Sequence, residues 1–79
     1  MDKNVEIALL LDFYGNMLTA RQREIMNLYY EDNLSLSEIA EELNISKQGV
    51  SDSIKRSEKV LYDTESKLQF MKQQLENDK

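Results

Sequence analysis

The side chains whose types and spacing are best suited to binding a ligand are the polar and basic residues that follow Ile45. Hydroxyl, amide and cationic groups are the ones that hydrogen-bond to base edges and neutralise phosphates. At helical spacing they share one side of a helix, while Val50 and Ile54 fall on the opposite, inward side. The sequence therefore predicts a nucleic-acid-binding surface made of Ser46, Lys47, Gln48, Ser51, Asp52, Lys55, Arg56 and Lys59.

Two short helices joined by a sharp turn would position this surface. Ser35 and Glu38 have the spacing of a capping box, in which each side chain accepts from the other residue's backbone N–H. An apolar stripe at helical spacing follows, at Leu36, Ile39, Ala40 and Leu43. Asn44 tolerates the left-handed conformation that ends a helix, Ile45 should plug the turn into the core, and Ser46 caps the next helix. This order is typical of a helix-turn-helix.

Several polar and aromatic residues have two interpretations. Arg21 and Arg23 either touch a nucleic-acid backbone or face solvent. Tyr29 could stack on a base, but an aromatic residue at helical spacing usually packs in a core, and we favour the core. Asp52 would repel phosphate; it could instead accept from cytosine, cap a neighbouring basic side chain, or mark a surface that binds protein.

Composition argues against several other kinds of site. The 79 residues include no cysteine and no histidine, which removes disulfides, thiolate and imidazole zinc ligands and the usual general base. Two glycines are too few for a glycine-rich phosphate loop. We therefore predict no enzymatic activity, no cofactor and no metal. The longest apolar run, Ile7 to Leu11, is too short to span a membrane, and the first residues lack an export signal, so we expect a cytoplasmic protein without membrane insertion.

The net charge of −5 counts against nucleic-acid binding, which draws on neutralised phosphates. The charge is segregated, however. Residues 44–59 contain four basic and two acidic side chains, whereas residues 21–43 contain two basic and six acidic ones. One weakly basic face predicts weak binding by a single copy of the chain.

The pattern as a whole predicts an all-α, single-domain chain over residues 1–79. One helix is expected from Lys3 to Asn16, a second from the Thr19–Gln22 capping box to about Asp32, and two more in the two halves of the helix-turn-helix. Together they form a head over residues 1–60. No glycine or proline follows Gly49, so the last helix should continue for about 30 residues, with residues 61–79 an extended, coiled-coil-like or dimerising segment. Its heptad positions are Ile54, Leu61, Leu68 and Leu75, with Val50, Ser57, Thr64 and Met71 between them. This seam and the strongly apolar first helix predict a homodimer; the alternative is a tail that folds back onto its own first helix.

Two blocks of sequence resemble known families. Leu18-Thr19, Gln22-Arg23, the run from Leu34 to Glu41, and Ile45-Ser46 resemble region four of bacterial sigma factors. The segments Leu11–Tyr14, Leu28–Tyr30, Ser46–Val50 and Asp52–Glu58, in that order, resemble the YlxM family. The chain departs from that family at Lys47, where members usually have arginine, and at Gly49, where they usually have alanine; their C-terminal part also tends to run longer.

The resemblance implies a small protein with a sigma-region-four-like helix-turn-helix. Because YlxM genes typically sit beside those for the signal recognition particle GTPase or its receptor, it also implies a regulatory role in protein targeting. Three hypotheses follow. The chain is a dimeric regulator that binds DNA, an accessory factor that touches the RNA or the GTPase of the signal recognition particle, or a protein-only module that mimics sigma region four and binds polymerase or another protein.

Overall fold

The structure, a computed structural model, describes residues 1–77 and contains five helices. They are α1 (Lys3–Tyr14), α2 (Ala20–Tyr30), α3 (Leu36–Leu43), α4 (Lys47–Leu68) and α5 (Phe70–Asn77), with a short 3₁₀ turn at Gly15–Met17 between α1 and α2. No strand occurs in the described part of the chain. The predicted all-α fold with a helix-turn-helix is confirmed.

Local hydrogen bonds at the helix ends explain why the elements begin where they do. Thr19 and Gln22 form the predicted capping box at the start of α2, with backbone-to-side-chain distances of 3.0 and 3.1 Å. Ser35 and Glu38 form the second box at the start of α3, at 2.9 and 3.1 Å. Asn44 ends α3 in the left-handed conformation, with φ of 57°. These signals involve residues at most four apart, and each prediction is confirmed.

The core lies where α4 crosses α1, α2 and α3. Its most deeply buried side chains are Ile7, Leu10, Ile25, Met26, Ile39, Val50 and Leu61. Val5 and Phe13 on α1 remain 51% and 40% exposed, so the apolar surface of that helix is only partly covered. Within residues 1–77, no helix combines the length and the apolar character needed to cross a membrane.

The prediction for Ile45 is wrong, because its side chain is 37% exposed. Its backbone N–H donates to the carbonyl of Ala40 at 3.0 Å, two residues beyond the end of α3. That bond is the outer one of a Schellman turn, whose last residue packs on the helix end and not in the centre of the domain.

The predicted helix of about 30 residues is also wrong in its C-terminal part. The extended helix α4 ends at Leu68, Gln69 adopts a left-handed φ of 57°, and α5 packs back against α1 and α4. Met71 is buried there, whereas Leu68 is 46% exposed. The heptad positions from Val50 to Leu61 thus face the chain's own core, which is the fold-back alternative.

A group of hydrogen bonds, the α5 clasp, holds this reversal. The Tyr14 hydroxyl donates to Glu65 Oε1 at 2.7 Å and accepts from the backbone N–H of Phe70 at 3.1 Å. The Glu65 carboxylate also accepts from the backbone N–H groups of Met71 and Lys72, at 3.1 Å each. Glu65 therefore acts as an N-terminal cap for α5, supplied by the preceding helix.

Candidate nucleic-acid interface

The first half of α4 presents the predicted surface to solvent. Burial of Val50, Ile54, Ser57 and Leu61 fixes one side of α4 against the core. The opposite side therefore faces outward. Of the eight residues predicted for the site, seven are exposed and Ser51 is half-buried. Lys47, seven residues before the buried Ile54, is exposed because it stands at the start of the helix and not because it lies opposite the core. We call this set (Ser46, Lys47, Gln48, Ser51, Asp52, Lys55, Arg56 and Lys59) the α4 face.

The cations of the α4 face are largely free. Within residues 1–77, Lys47, Lys55 and Arg56 form no ion pair. Lys59 lies 3.0 Å from Asp63, one turn further along α4, and both side chains are well exposed. Exposed pairs of this kind contribute at most about 1 kcal/mol, so Lys59 can exchange its partner for a phosphate at little cost.

The first turn of α4 places polar groups beside these cations. Ser46 Oγ accepts from the backbone N–H of Gly49 at 2.9 Å, which leaves its hydroxyl hydrogen able to donate. The positive end of the helix dipole lies at the same place and favours an anion. Gln48 Nε2 donates to Asp52 Oδ1 at 2.9 Å. Asp52 thus accepts from an amide, and the interpretation in which it caps a basic neighbour is wrong.

The two arginines at the start of α2 are engaged with their own chain. Arg21 Nε lies 3.8 Å from Glu24, and Arg23 Nη1 donates to Asn16 Oδ1 at 3.0 Å. Both are exposed and lie on a different helix from the α4 face. These contacts favour the solvent-facing interpretation.

Three tyrosine–glutamate hydrogen bonds fix α4 relative to its neighbours. Besides Tyr14 and Glu65, Tyr30 donates to Glu58 Oε2 at 2.6 Å and Tyr62 donates to Glu6. Burial, followed by the bond to a carboxylate, raises the pKa of each of the three phenols, to about 12 for Tyr62. The partners lie 28 to 56 residues apart in the chain. Local patterns carry no signal over such distances, and the sequence did not predict these bonds.

Beyond the α4 face, the surface is acidic. Glu38, Glu41 and Glu42 are all exposed on α3, and Glu31 and Asp32 follow α2. Among residues 1–77, no three acidic side chains come together in a way that could hold a metal ion. The geometry therefore offers one face suited to polyanions on an otherwise acidic molecule.

The comparisons with known proteins agree with the helix-turn-helix fold. The sequence model of the UPF0122 family, described as "Putative helix-turn-helix protein, YlxM / p13 like", matches residues 1–79. That description is of a helix-turn-helix protein and names no enzyme.

Curated relatives match over most of the chain. A UPF0122 protein of Acetivibrio thermocellus is 60% identical over 68 residues, which are 86% of this chain and 58% of the relative. One from Clostridium botulinum is 46% identical over 79 residues, 100% of this chain and 72% of the relative. The protein BH2485 of Halalkalibacterium halodurans is 48% identical over 71 residues, 90% of this chain and 65% of the relative. The matched part thus spans between 58% and 72% of the length of these relatives.

Proposed function

Since the chain belongs to the YlxM/p13-like family of helix-turn-helix proteins, we propose that it is a cytoplasmic regulatory protein that binds nucleic acid through the α4 face. One observation carries the proposal: Lys47, Lys55 and Arg56 are exposed along the first three turns of α4 and have no ion-pair partner in the described part of the chain. Cations left free in this way release counterions when they meet phosphates, and that release drives association.

The α4 face matches the way a helix-turn-helix docks. The N-terminal residues of its second helix enter a groove, while the first helix crosses the backbone. Here the second helix is α4, and Lys47, Gln48 and Ser51 lie in its first two turns. An amide, a hydroxyl and an ammonium group are suited to base edges and phosphates, although lysine cannot make the two-pronged contact to guanine that arginine makes.

The RNA of the signal recognition particle is a second possible ligand of the same face, beside DNA. The family resemblance supports it, because it implies a role in the signal recognition particle pathway. The acidic surface of α2 and α3 would then remain available to a basic protein such as the GTPase. Both ligands present phosphates to α4, so one binding experiment compares them.

Fluorescence anisotropy with labelled duplex DNA and with labelled signal recognition particle RNA tests the proposal. If Lys47, Lys55 and Arg56 each contact one phosphate of DNA, log K should fall with log salt with a slope of about −2.7, roughly 0.9 per contact. Lys47→Gln should remove about 0.9 from the slope. Lys67→Gln, a matched change in the last turn of α4, should leave it unchanged. The proposal would be refuted if the affinity for both ligands did not change with salt concentration.

A second candidate function is a protein-only interaction module, a mimic of sigma region four that binds polymerase or the signal recognition particle GTPase. Asp52, held by Gln48 in the middle of the α4 face, favours it, because a carboxylate there repels phosphate. Charge reversal by Lys47→Glu and Lys55→Glu separates the two functions. The reversal should abolish nucleic-acid binding, whereas capture of the purified GTPase or polymerase through another surface should survive it.

A homodimer remains a proposal on changed grounds, since the heptad positions from Val50 to Leu61 face the chain's own core. Val5 and Phe13 on α1 and Leu68 and Phe70 around the chain reversal are exposed apolar side chains that a second copy could cover. Sedimentation equilibrium measures the assembly directly. A dimer should dissociate when Phe13 and Phe70 are changed to serine; a monomer at all accessible concentrations would rule the dimer out.

A further inference from the structure

A groove with an aromatic wall lies beside the α4 face. It runs between α4 and the junction of α2 with α3, and we call it the tyrosine groove; its lining includes Lys3, Tyr29, Leu36, Ser51, Lys55 and Glu58. Ser51 and Lys55 also belong to the α4 face. A nucleic acid on α4 would therefore extend into the groove without leaving the protein surface.

Tyr29 differs from the other three tyrosines of the chain. Tyr14, Tyr30 and Tyr62 each donate their hydroxyl to a glutamate. The Tyr29 hydroxyl has no hydrogen-bond partner among residues 1–77, and its ring packs edge-to-face with Tyr30 at 5.0 Å between centroids. The residue is half-buried and also lines a second concavity with Asn4 and Asn33. The residue therefore packs against the core while part of it lines the groove.

The charges in the groove are arranged unequally. Lys3 Nζ lies 3.2 Å from Glu58 Oε1, and the other oxygen of Glu58 accepts from the hydroxyl of Tyr30. Lys3 and Glu58 therefore neutralise each other at one end. Lys55 has no ion-pair partner among the described residues and supplies the net positive charge on the side shared with α4.

These groups match the parts of one nucleotide. The aromatic ring of Tyr29 and the apolar side chain of Leu36 suit the face of a base, and the hydroxyl of Ser51 suits its polar edge. The ammonium group of Lys55 suits the phosphate. A base pair in the interior of a duplex cannot present its face to Tyr29, because both its faces are stacked on neighbouring pairs.

We propose that the tyrosine groove binds one unpaired nucleotide, with its base against Tyr29 and its phosphate on Lys55. The inference rests on the proposed function, because the adjoining paired segment must lie on α4. The preferred ligand is then a stem with an unpaired loop or end, in RNA or in DNA, and not a fully paired duplex.

The test compares three probes: an RNA stem-loop with four adenosines in the loop, the same stem as a blunt RNA duplex, and the corresponding DNA stem-loop. One base stacked on an aromatic side chain should favour the stem-loop over the duplex by about 5- to 150-fold. Tyr29→Leu should reduce this preference to near unity and leave duplex affinity unchanged. Tyr29→Phe, which keeps the ring, should retain most of it, and Tyr62→Phe all of it. The DNA probe shows whether the nucleotide must be RNA.

Intrinsic fluorescence reports on Tyr29 itself. The chain has no tryptophan, and a tyrosine bonded to a carboxylate emits weakly, so Tyr29 should dominate the emission. Stem-loop binding should quench this emission, and the blunt duplex should not.

The outcomes separate the two proposals. The groove is overturned if the protein binds stem-loop and duplex with equal affinity, or if Tyr29→Leu keeps the preference for the stem-loop. The α4 proposal still stands in that case if Lys47→Gln weakens binding. No binding of any probe overturns both. If Tyr29→Leu fails to fold, two other measurements test the groove: the change in wild-type tyrosine emission on binding, and the preference of Tyr29→Phe for the stem-loop over the duplex. A wild-type emission that does not change when the stem-loop binds overturns the groove.

Discussion

Replacement of Glu65 by alanine should release α5 while the rest of the fold persists. The Glu65 carboxylate receives three hydrogen bonds in the α5 clasp, one from the Tyr14 hydroxyl and two from the backbone of α5. The Tyr14 hydroxyl also accepts from the start of α5, from the backbone N–H of Phe70, and it is itself held by Glu65. The chain reversal at Gln69 is held in a left-handed conformation that costs a non-glycine residue about 1 kcal/mol.

The size of the effect follows from what each partner loses. A hydrogen bond to a charged group contributes about 1.5–3 kcal/mol, and the Tyr14 hydroxyl, which is buried, finds no replacement. The backbone N–H of Lys72 is exposed and can hydrogen-bond to water instead, so the loss of its bond to Glu65 costs little. With about 1 kcal/mol for the lost cap, α5 should lose roughly 3 kcal/mol of docking free energy. Burial of Met71 contributes about 2 kcal/mol, which is too little to hold the helix alone.

Amide hydrogen exchange resolves this prediction by region. In Glu65→Ala, amides of residues 70–77 should exchange much faster, while those of α2 and α3 keep their protection. Glu76→Ala, the same chemical change at an exposed position of α5, serves as the control and should leave exchange unaltered. Unchanged protection of α5 in Glu65→Ala would refute the role given to the clasp. Loss of protection throughout the chain would show that α5 is not a separable unit.

Further predictions concern stability, pH and charge. Ser57→Ala should stabilise the fold by about 1 kcal/mol in urea denaturation, because it removes a fully buried hydroxyl that has no hydrogen-bond partner among residues 1–77. Stability should fall as the pH rises above 10: Tyr62, with its pKa raised to about 12, and Tyr14 and Tyr30, also raised, keep their protons in the folded state after unfolded phenols have lost theirs. Thermal melts between pH 9 and 12 check the sign, and a rising melting temperature would contradict it. Asp52→Asn should strengthen duplex binding by up to about fivefold, because repulsion between the carboxylate and a phosphate across solvent costs about 1 kcal/mol or less. Weaker binding would instead indicate that the carboxylate accepts a hydrogen bond from a base.

The sequence predicted those features that depend on residues close together in the chain. The two capping boxes, the left-handed Asn44 and the inward side of α4 all follow from spacings of two to four residues, and the structure confirms them. The exposed positions of the α4 face follow from the same periodicity, since burial of Val50 and Ile54 leaves only one side free. That the α4 face binds nucleic acid stays a prediction.

The end of α4 could not be predicted in the same way. Gln69 is a good helix former, and no glycine or proline marks the break. The break is stabilised by Tyr14, which lies 51 residues from Glu65 along the chain and 56 from Phe70. The heptad pattern was a true signal of an apolar side, but apolar periodicity does not say whether a partner helix belongs to the same chain or to another one.

The distribution of charge reconciles the acidic composition with a polyanionic ligand. Screening limits the reach of a surface charge to about 8–10 Å in physiological salt, so acidic groups beyond that distance weigh little on a phosphate held at α4. Along the first three turns of α4, Asp52 is the single carboxylate among Lys47, Lys55 and Arg56, and it is already bonded to Gln48. The net charge of −5 therefore limits how many phosphates one chain can neutralise, and with it the affinity, without preventing contact. A protein built this way gains most from a contact that does not depend on charge, and an unpaired base against Tyr29 is such a contact.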